Sequence, residues 1–165
     1  MVRILQQEFE HEVINTRRLL EAIPEKDINF KPAPTSWTMG ELAQHIASIY
    51  YWYTGTLTLT EYDLAAETLQ RDAPENITAT RAFFEQNVIE ARKSLAGISD
   101  EDLKTKWTLR AGERKLIDAM PRGAVIRGFL FNHLYHHRGE MIIYLRASGN
   151  TVPGLYGPTA EESFQ

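Results

Sequence analysis

The chain has no cysteine, which excludes disulfides, thiolate metal ligands and a cysteine nucleophile. It also lacks any uninterrupted apolar run of about 18 residues, the length a membrane-crossing helix needs. A basic excess is missing too: 18 Lys and Arg stand against 22 Asp and Glu, for a formal net charge of −4. The short basic runs Arg17-Arg18 and Arg114-Lys115 are too sparse for the stripe that nucleic-acid binders carry. Met1 to Glu8 has charges every few residues and no apolar core, unlike a signal peptide. The expectation is a cytoplasmic protein that binds neither nucleic acid nor membrane.

What is present suits one domain spanning residues 1–165, because 43% apolar content over 165 residues can bury a core without staples. Val2, Leu5, Phe9, Val13, Leu20 and Ile23 recur at helical spacing, while Glu8, Glu10, His11, Glu12 and Arg17 fall mostly off that stripe. His11 is therefore expected in solvent. Pro24 ends this helix, and Pro32, Pro34 and Ser36 extend the connection. Thr38-Met39-Gly40-Glu41 has the capping-box pattern, so a second helix should run from Met39 into the late 50s.

A polar stretch with Pro74 follows. Phe83, Phe84, Val88, Ala91 and Leu95 then mark a third helix over 79–96, with Gly97 as its stop. Trp107-Thr108-Leu109, Ala111-Gly112 and Lys115-Leu116-Ile117 suit a small hairpin. A fourth long helix should start near Pro121, since proline fits the first helical position, and end before Gly149. Gly123, Gly128 and Gly139 weaken it by about 1 kcal/mol each relative to alanine, a cost better tolerated where another backbone approaches closely. Four long helices predict an all-α four-helix bundle, with the hairpin placed before the last of them.

Four of the five histidines lie on apolar helical segments. His45 shares a face with Leu42, Ile49 and Trp52. His133 and His137 align with Ile126, Leu130, Met141 and Tyr144. Both faces should look into the bundle, where a neutral imidazole needs a hydrogen-bond partner or a metal. A His pair four residues apart can hold one ion, and an imidazole from a facing helix would complete a three-nitrogen site.

His136 competes as a ligand, being three residues beyond His133. However, residues 133 and 137 differ by about 40° around the axis, against about 60° for 133 and 136. His136 is expected beside the site or at an interface. Glu140 faces the same side and is open to several roles: orienting an imidazole, serving as a fourth ligand, accepting a proton, or standing solvated at the rim. Trp52 and Ile49 are candidate pocket walls. Tyr50-Tyr51-Trp52-Tyr53 points in four directions, so some of these rings must line a pocket, pack under a loop or meet a partner subunit.

Three segments together resemble the DinB/YfiT-like superfamily: Phe30 to Ile46 (FKPAPTSWTMGELAQHI), Asn132 to Glu140 (NHLYHHRGE), and Val152 to Pro158 (VPGLYGP). The resemblance spans nearly the whole chain. It implies a four-helix bundle, often homodimeric, with a divalent metal held by His45, His133 and His137, the last being the histidine directly before Arg-Gly. Glu140 is a departure, because glutamine commonly follows the Arg-Gly in that family. The final segment is expected to turn the tail back across the bundle.

Three neutral imidazoles leave the ion's charge uncompensated, so a bound water or thiol would lose its proton more readily. Zinc or nickel suits nitrogen ligands, while iron or manganese fits if Glu140 takes part. The resemblance implies a metal-dependent enzyme acting on a small molecule, with thiol S-transfer using a low-molecular-weight thiol as the first reading. The alternatives are a hydrolase in which metal-bound hydroxide attacks, with Glu140 as a base, and a non-catalytic, stress-associated metal-binding dimer.

Overall fold

The computed structural model describes residues 1–67 and 74–162. Its long helices are α1 (Val2–Glu21), α2 (Met39–Thr58), α3 (Ile77–Ala96) and a final run made of α4 (Arg122–Val125), a π-helical segment (Ile126–Phe131) and α5 (Asn132–Ala147). Each predicted helix is present. The capping box opens α2 as expected: the Glu41 amide donates to Thr38 Oγ1 at 3.0 Å, and the Thr38 amide donates to Glu41 Oε2 at 2.6 Å. These bonds hold the Glu41 carboxyl below its ordinary pKa and satisfy two amides that the first turn leaves without helical partners. Asn76 caps α3 through the Ala79 amide at 2.8 Å. The last helix ends before Gly149, whose φ of +77° favours glycine.

An all-helical fold is only part of the architecture. The predicted hairpin forms as β2 (Lys106–Ala111) and β3 (Arg114–Pro121), turning through Gly112 at φ +59°. A third strand, β1 (Glu61–Asp63), pairs parallel with β2, giving the order β1-β2-β3. Three residues are too few for an alternating pattern, so the sequence carries no strand signal there. What holds β1 is tertiary. Arg110 of β2 reaches Glu61 at 2.6 Å and also binds Asp63. The Tyr62 ring lies on Gly55 of α2 so closely that a Cβ there would sit 2.7 Å from it.

The core lies between the helices, with Phe9, Leu19, Ile46, Tyr50, Phe84, Val88 and Leu130 buried. Of the aromatic run, Tyr50, Trp52 and Tyr53 are buried within the chain itself, and Tyr51 is at the surface. Tyr50 donates to the Glu12 carbonyl at 3.0 Å and lies 2.8 Å from Thr16 Oγ1.

Two expectations need correction. Glu12 is not on the solvent side of α1 but buried, paired with the equally buried Arg138 and with the Tyr156 hydroxyl at 2.6 Å. A buried carboxylate persists only when paired and hydrogen-bonded, and its partner lies 126 residues away. Gly128 and Gly139 do not permit a close approach, since nothing lies within 4 Å of an added Cβ at either. Only Gly123 of that trio packs closely, with Leu103 at 3.5 Å.

The last helix keeps its expected inward positions despite a change of pitch. The π-helical segment takes more residues per turn than an α-helix, yet Ile126, Leu130, His137, Met141 and Tyr144 are all buried and His133 is half-buried. Ile126, Leu130 and Phe131 are buried before the change, and Leu134, His137, Arg138, Met141 and Leu145 after it. His133 and His137 sit on the flank of α5 that faces α2. The tail does fold back: Val152 is buried, and the Gly154 carbonyl accepts from Arg18 Nη1 at 2.6 Å.

Candidate metal centre

The second turn of α2 and the first two turns of α5 bring three imidazoles together. His45 Nε2 and His133 Nε2 are 3.0 Å apart. The His137 ring centroid lies 4.5 Å from that of His45 and 4.7 Å from that of His133. One ligand nitrogen from each of the three falls within 4.8 Å of the others. Two nitrogens bound to one cation at about 2.0–2.1 Å lie roughly 3.0–3.4 Å from each other, so the His45–His133 spacing fits a shared ion.

Protonation favours the same chemistry. Burial pushes the His133 imidazole down to about 4, helped by the neighbouring His137 and His136 and opposed by Glu140. Burial also lowers His137, against the pull of Glu140. At neutral pH both rings are uncharged and offer lone pairs. His137 Nδ1 lies 2.6 Å from Glu140 Oε2. A carboxylate accepts, so Nδ1 carries the hydrogen and Nε2 keeps its lone pair for a cation.

Glu140 thus orients His137, one of the roles open to it from sequence. Its other oxygen is 3.2 Å from His136 Nε2. His136 itself is exposed and is not part of the three-imidazole cluster; it groups instead with His137 and Glu140. The helical-angle preference for His137 over His136 agrees with this placement.

Aromatic rings wall the cluster. Trp52 lies nearly parallel to His133, with centroids 5.6 Å apart, and to Phe129 at 6.0 Å. Its Nε1 donates to Glu67 Oε1 at 2.9 Å, and the Tyr62 hydroxyl donates to the same oxygen at 2.6 Å. Burial and Glu67 raise the Tyr62 phenol above its ordinary pKa, keeping it a donor. The three-stranded sheet therefore supports the wall of the three-imidazole cluster through Tyr62. Ile49, one turn beyond His45, has no exposed surface and belongs to the core.

Two participants were not foreseen as site residues. Glu67 lacks a motif and is placed by the unpredicted strand. Trp37 was visible only inside the family-like segment: its ring is 5.1 Å from His45 and 5.9 Å from His137. No helix among the described residues is long and apolar enough to cross a membrane.

Comparison with known proteins places the chain. The family model described as "DinB family" matches residues 3–164. The uncharacterized protein YrdA of Bacillus subtilis (strain 168) is 30% identical over 158 residues, covering 93% of this chain and 87% of YrdA. Among solved structures, a DinB-like protein from Bacillus cereus superposes with a TM-score of 0.71 at 26% identity, over 92% of this chain and 95% of that one. YfiT of Bacillus subtilis, described as a probable metal-dependent hydrolase with an unusual four-helix bundle topology, has a TM-score of 0.64 at 18% identity, covering 90% of this chain and 87% of YfiT. This chain belongs to the DinB family.

Proposed function

We propose that the protein is a metal-dependent enzyme that activates a nucleophile for reaction with a small electrophilic molecule, and that the nucleophile is a low-molecular-weight thiol. The observation that carries this reading is the convergence of three imidazole donor nitrogens within 4.8 Å of each other, with the two lowered by burial uncharged at neutral pH. His45, His133 and His137 supply the ligands. A divalent cation in that set supplies positive charge that lowers the pKa of a coordinated thiol or water and polarises an electrophile's oxygen. With Glu140 engaged by His137 and His136, the ligand set is all nitrogen, which favours zinc or nickel over iron or manganese.

The residues favour a thiol over water for one reason. Both Glu140 oxygens are taken by imidazoles, so this carboxylate orients His137 rather than standing ready as a base. A thiol, with a pKa of about 8.5, needs less help to lose its proton than water at about 15.7. Trp52 and Phe129 keep bulk water from the His133 side of the cluster, which strengthens the charge interactions inside it.

Hydrolysis is the second reading, favoured by the fold shared with YfiT and its description. The two separate in one assay series. Protein loaded with zinc or nickel is offered 1-chloro-2,4-dinitrobenzene with cysteine or glutathione, and p-nitrophenyl esters without thiol, before and after chelation. Thiol conjugation that is lost on chelation and in His137→Ala supports the proposal. Ester cleavage alone, lost in the same way, assigns hydrolysis. Conjugation undiminished by chelation contradicts a metal role.

A further inference from the structure

Among Trp37, Trp52 and Phe129, the aromatic side chains around the cluster, Trp37 is the most exposed. It stands immediately before the Thr38 cap, and its side chain touches two of the three imidazoles. One contact is edge-on, with His45 at 5.1 Å and 65° between planes; the other is closer to parallel, with His137 at 5.9 Å and 29°. Even so, Trp37 is 48% exposed, whereas Trp52 on the other side is 8% exposed with its indole N–H on Glu67. Trp52 is a structural wall. Trp37 keeps about half of its surface open while in ring contact with His45 and His137.

That position is fixed rather than incidental. The Trp37 carbonyl accepts from the Tyr144 hydroxyl at 3.1 Å, which ties the loop to α5. The Met39 amide donates to the Phe30 carbonyl at 2.9 Å and the Ser36 amide to the Ala33 carbonyl at 3.0 Å, closing the loop on itself. The capping box then locks the next residue. A large aromatic ring held this firmly, and only half covered, offers contact area at little further entropic cost.

We infer that Trp37 is a specificity-determining residue: its exposed face stacks against a planar substituent, aromatic or conjugated, of a small molecule whose oxygen or sulfur donor reaches the three-imidazole centre. The substrate class is therefore an unsaturated or aromatic electrophile rather than a small aliphatic one. The inference rests on the metal-centre reading above. The Trp37 ring contacts His45 and His137, while Trp52 contacts His45 and His133 and Phe129 contacts His133, so flat aromatic walls flank the imidazoles. Such walls prefer flat ligands, because offset aromatic contact adds attraction beyond the area buried.

The test uses zinc-loaded full-length protein and two chelating probes, benzohydroxamate and acetohydroxamate, which share the metal-binding group and differ in the planar ring. Binding is measured by calorimetry and by quenching of tryptophan fluorescence. Benzohydroxamate should bind about tenfold more tightly than acetohydroxamate, the upper range for one stacking contact. Trp37→Ala should abolish that preference while leaving acetohydroxamate affinity and zinc content unchanged, and Trp37→Phe should keep most of it. Trp37→Phe also serves if the alanine variant fails to fold, since it should remove the fluorescence quenching that Trp37 contributes while retaining the preference.

An undiminished benzohydroxamate preference in Trp37→Ala would overturn the assignment. So would equal affinity of the two probes for the native protein, or the failure of both to bind while zinc stays bound. Failure to bind zinc at all is a different result: it removes the metal-centre reading, and this inference falls with it.

Discussion

His45 Nε2 and His133 Nε2 meet at 3.0 Å although 88 residues separate them in the chain. Two imidazoles this close repel if both are protonated, and with neutral rings only one can donate a hydrogen to the other. A shared cation would use both lone pairs at once. The surrounding structure, from the capping box of α2 to the π-helical segment ahead of α5, keeps this pair facing.

The contact between Glu140 and His137 gives a graded prediction. Residues that orient a metal-bound histidine typically affect metal affinity by about 10–100-fold. Glu140→Ala should weaken zinc binding within that range. Glu140→Gln, which keeps an acceptor for the His137 N–H, should lose less. Competition against a chromophoric chelator measures both, and equal losses in the two variants would deny the orienting role.

Acid should destabilise the metal-free protein partly through His133. Its folded pKa is about 4, below the ordinary value of roughly 6.5, so between those limits the unfolded chain binds the extra proton. The stability that the neutral ring contributes is complete above about pH 6.5 and declines as the pH falls toward 4. Burial lowers His137 in the same direction. Denaturant unfolding of the chelated protein should show a shallower loss across this window in His133→Asn than in the native sequence.

Which parts of this were legible in the sequence follows from how local each signal is. The capping box, the apolar periods and the His-xxx-His spacing are set within one or two helical turns, and they placed α1, α2, α3 and α5 and the three imidazoles correctly. Strand β1 was illegible because its three residues are held by pairing with β2 and by Arg110, 49 residues away. Glu12 read as solvent-facing because a buried charge is recognised only by its partner, here Arg138. The π-helical turn was missed for a related reason: stripe counting assumes one constant period. The assumption cost nothing here, because Ile126 and Leu130 are buried as expected and His133 and His137 lie together beyond the change.

The Glu12–Arg138 pair is itself testable. Removing one member of a buried pair typically costs about 3–5 kcal/mol, because the other charge is left uncompensated. Glu12→Ala should fall in that range by urea unfolding. Tyr156→Phe, which removes only the hydroxyl that donates to Glu12, should cost about 1 kcal/mol. A small effect of Glu12→Ala would mean that Arg138 finds water or another acceptor.

Gly55 should resist substitution because of Tyr62. An alanine Cβ there would meet the ring at 2.7 Å, and overpacking of this kind costs about 1–3 kcal/mol. The clash should also disturb the Tyr62–Glu67–Trp52 hydrogen bonds beside the imidazoles. A double-mutant cycle of Gly55→Ala with Tyr62→Ala should show strong coupling, the second change relieving the first.

The most direct measurement is metal stoichiometry paired with ligand identity. The native protein should bind one equivalent of zinc or nickel, and X-ray absorption should show three imidazole nitrogens around it. Single alanine variants at His45, His133 and His137 should each lose tight binding while keeping native helicity, and His136→Ala should retain it. A native protein that binds no metal, or a His45/His133/His137 triple-alanine variant that still binds a full equivalent, would contradict the three-imidazole centre outright.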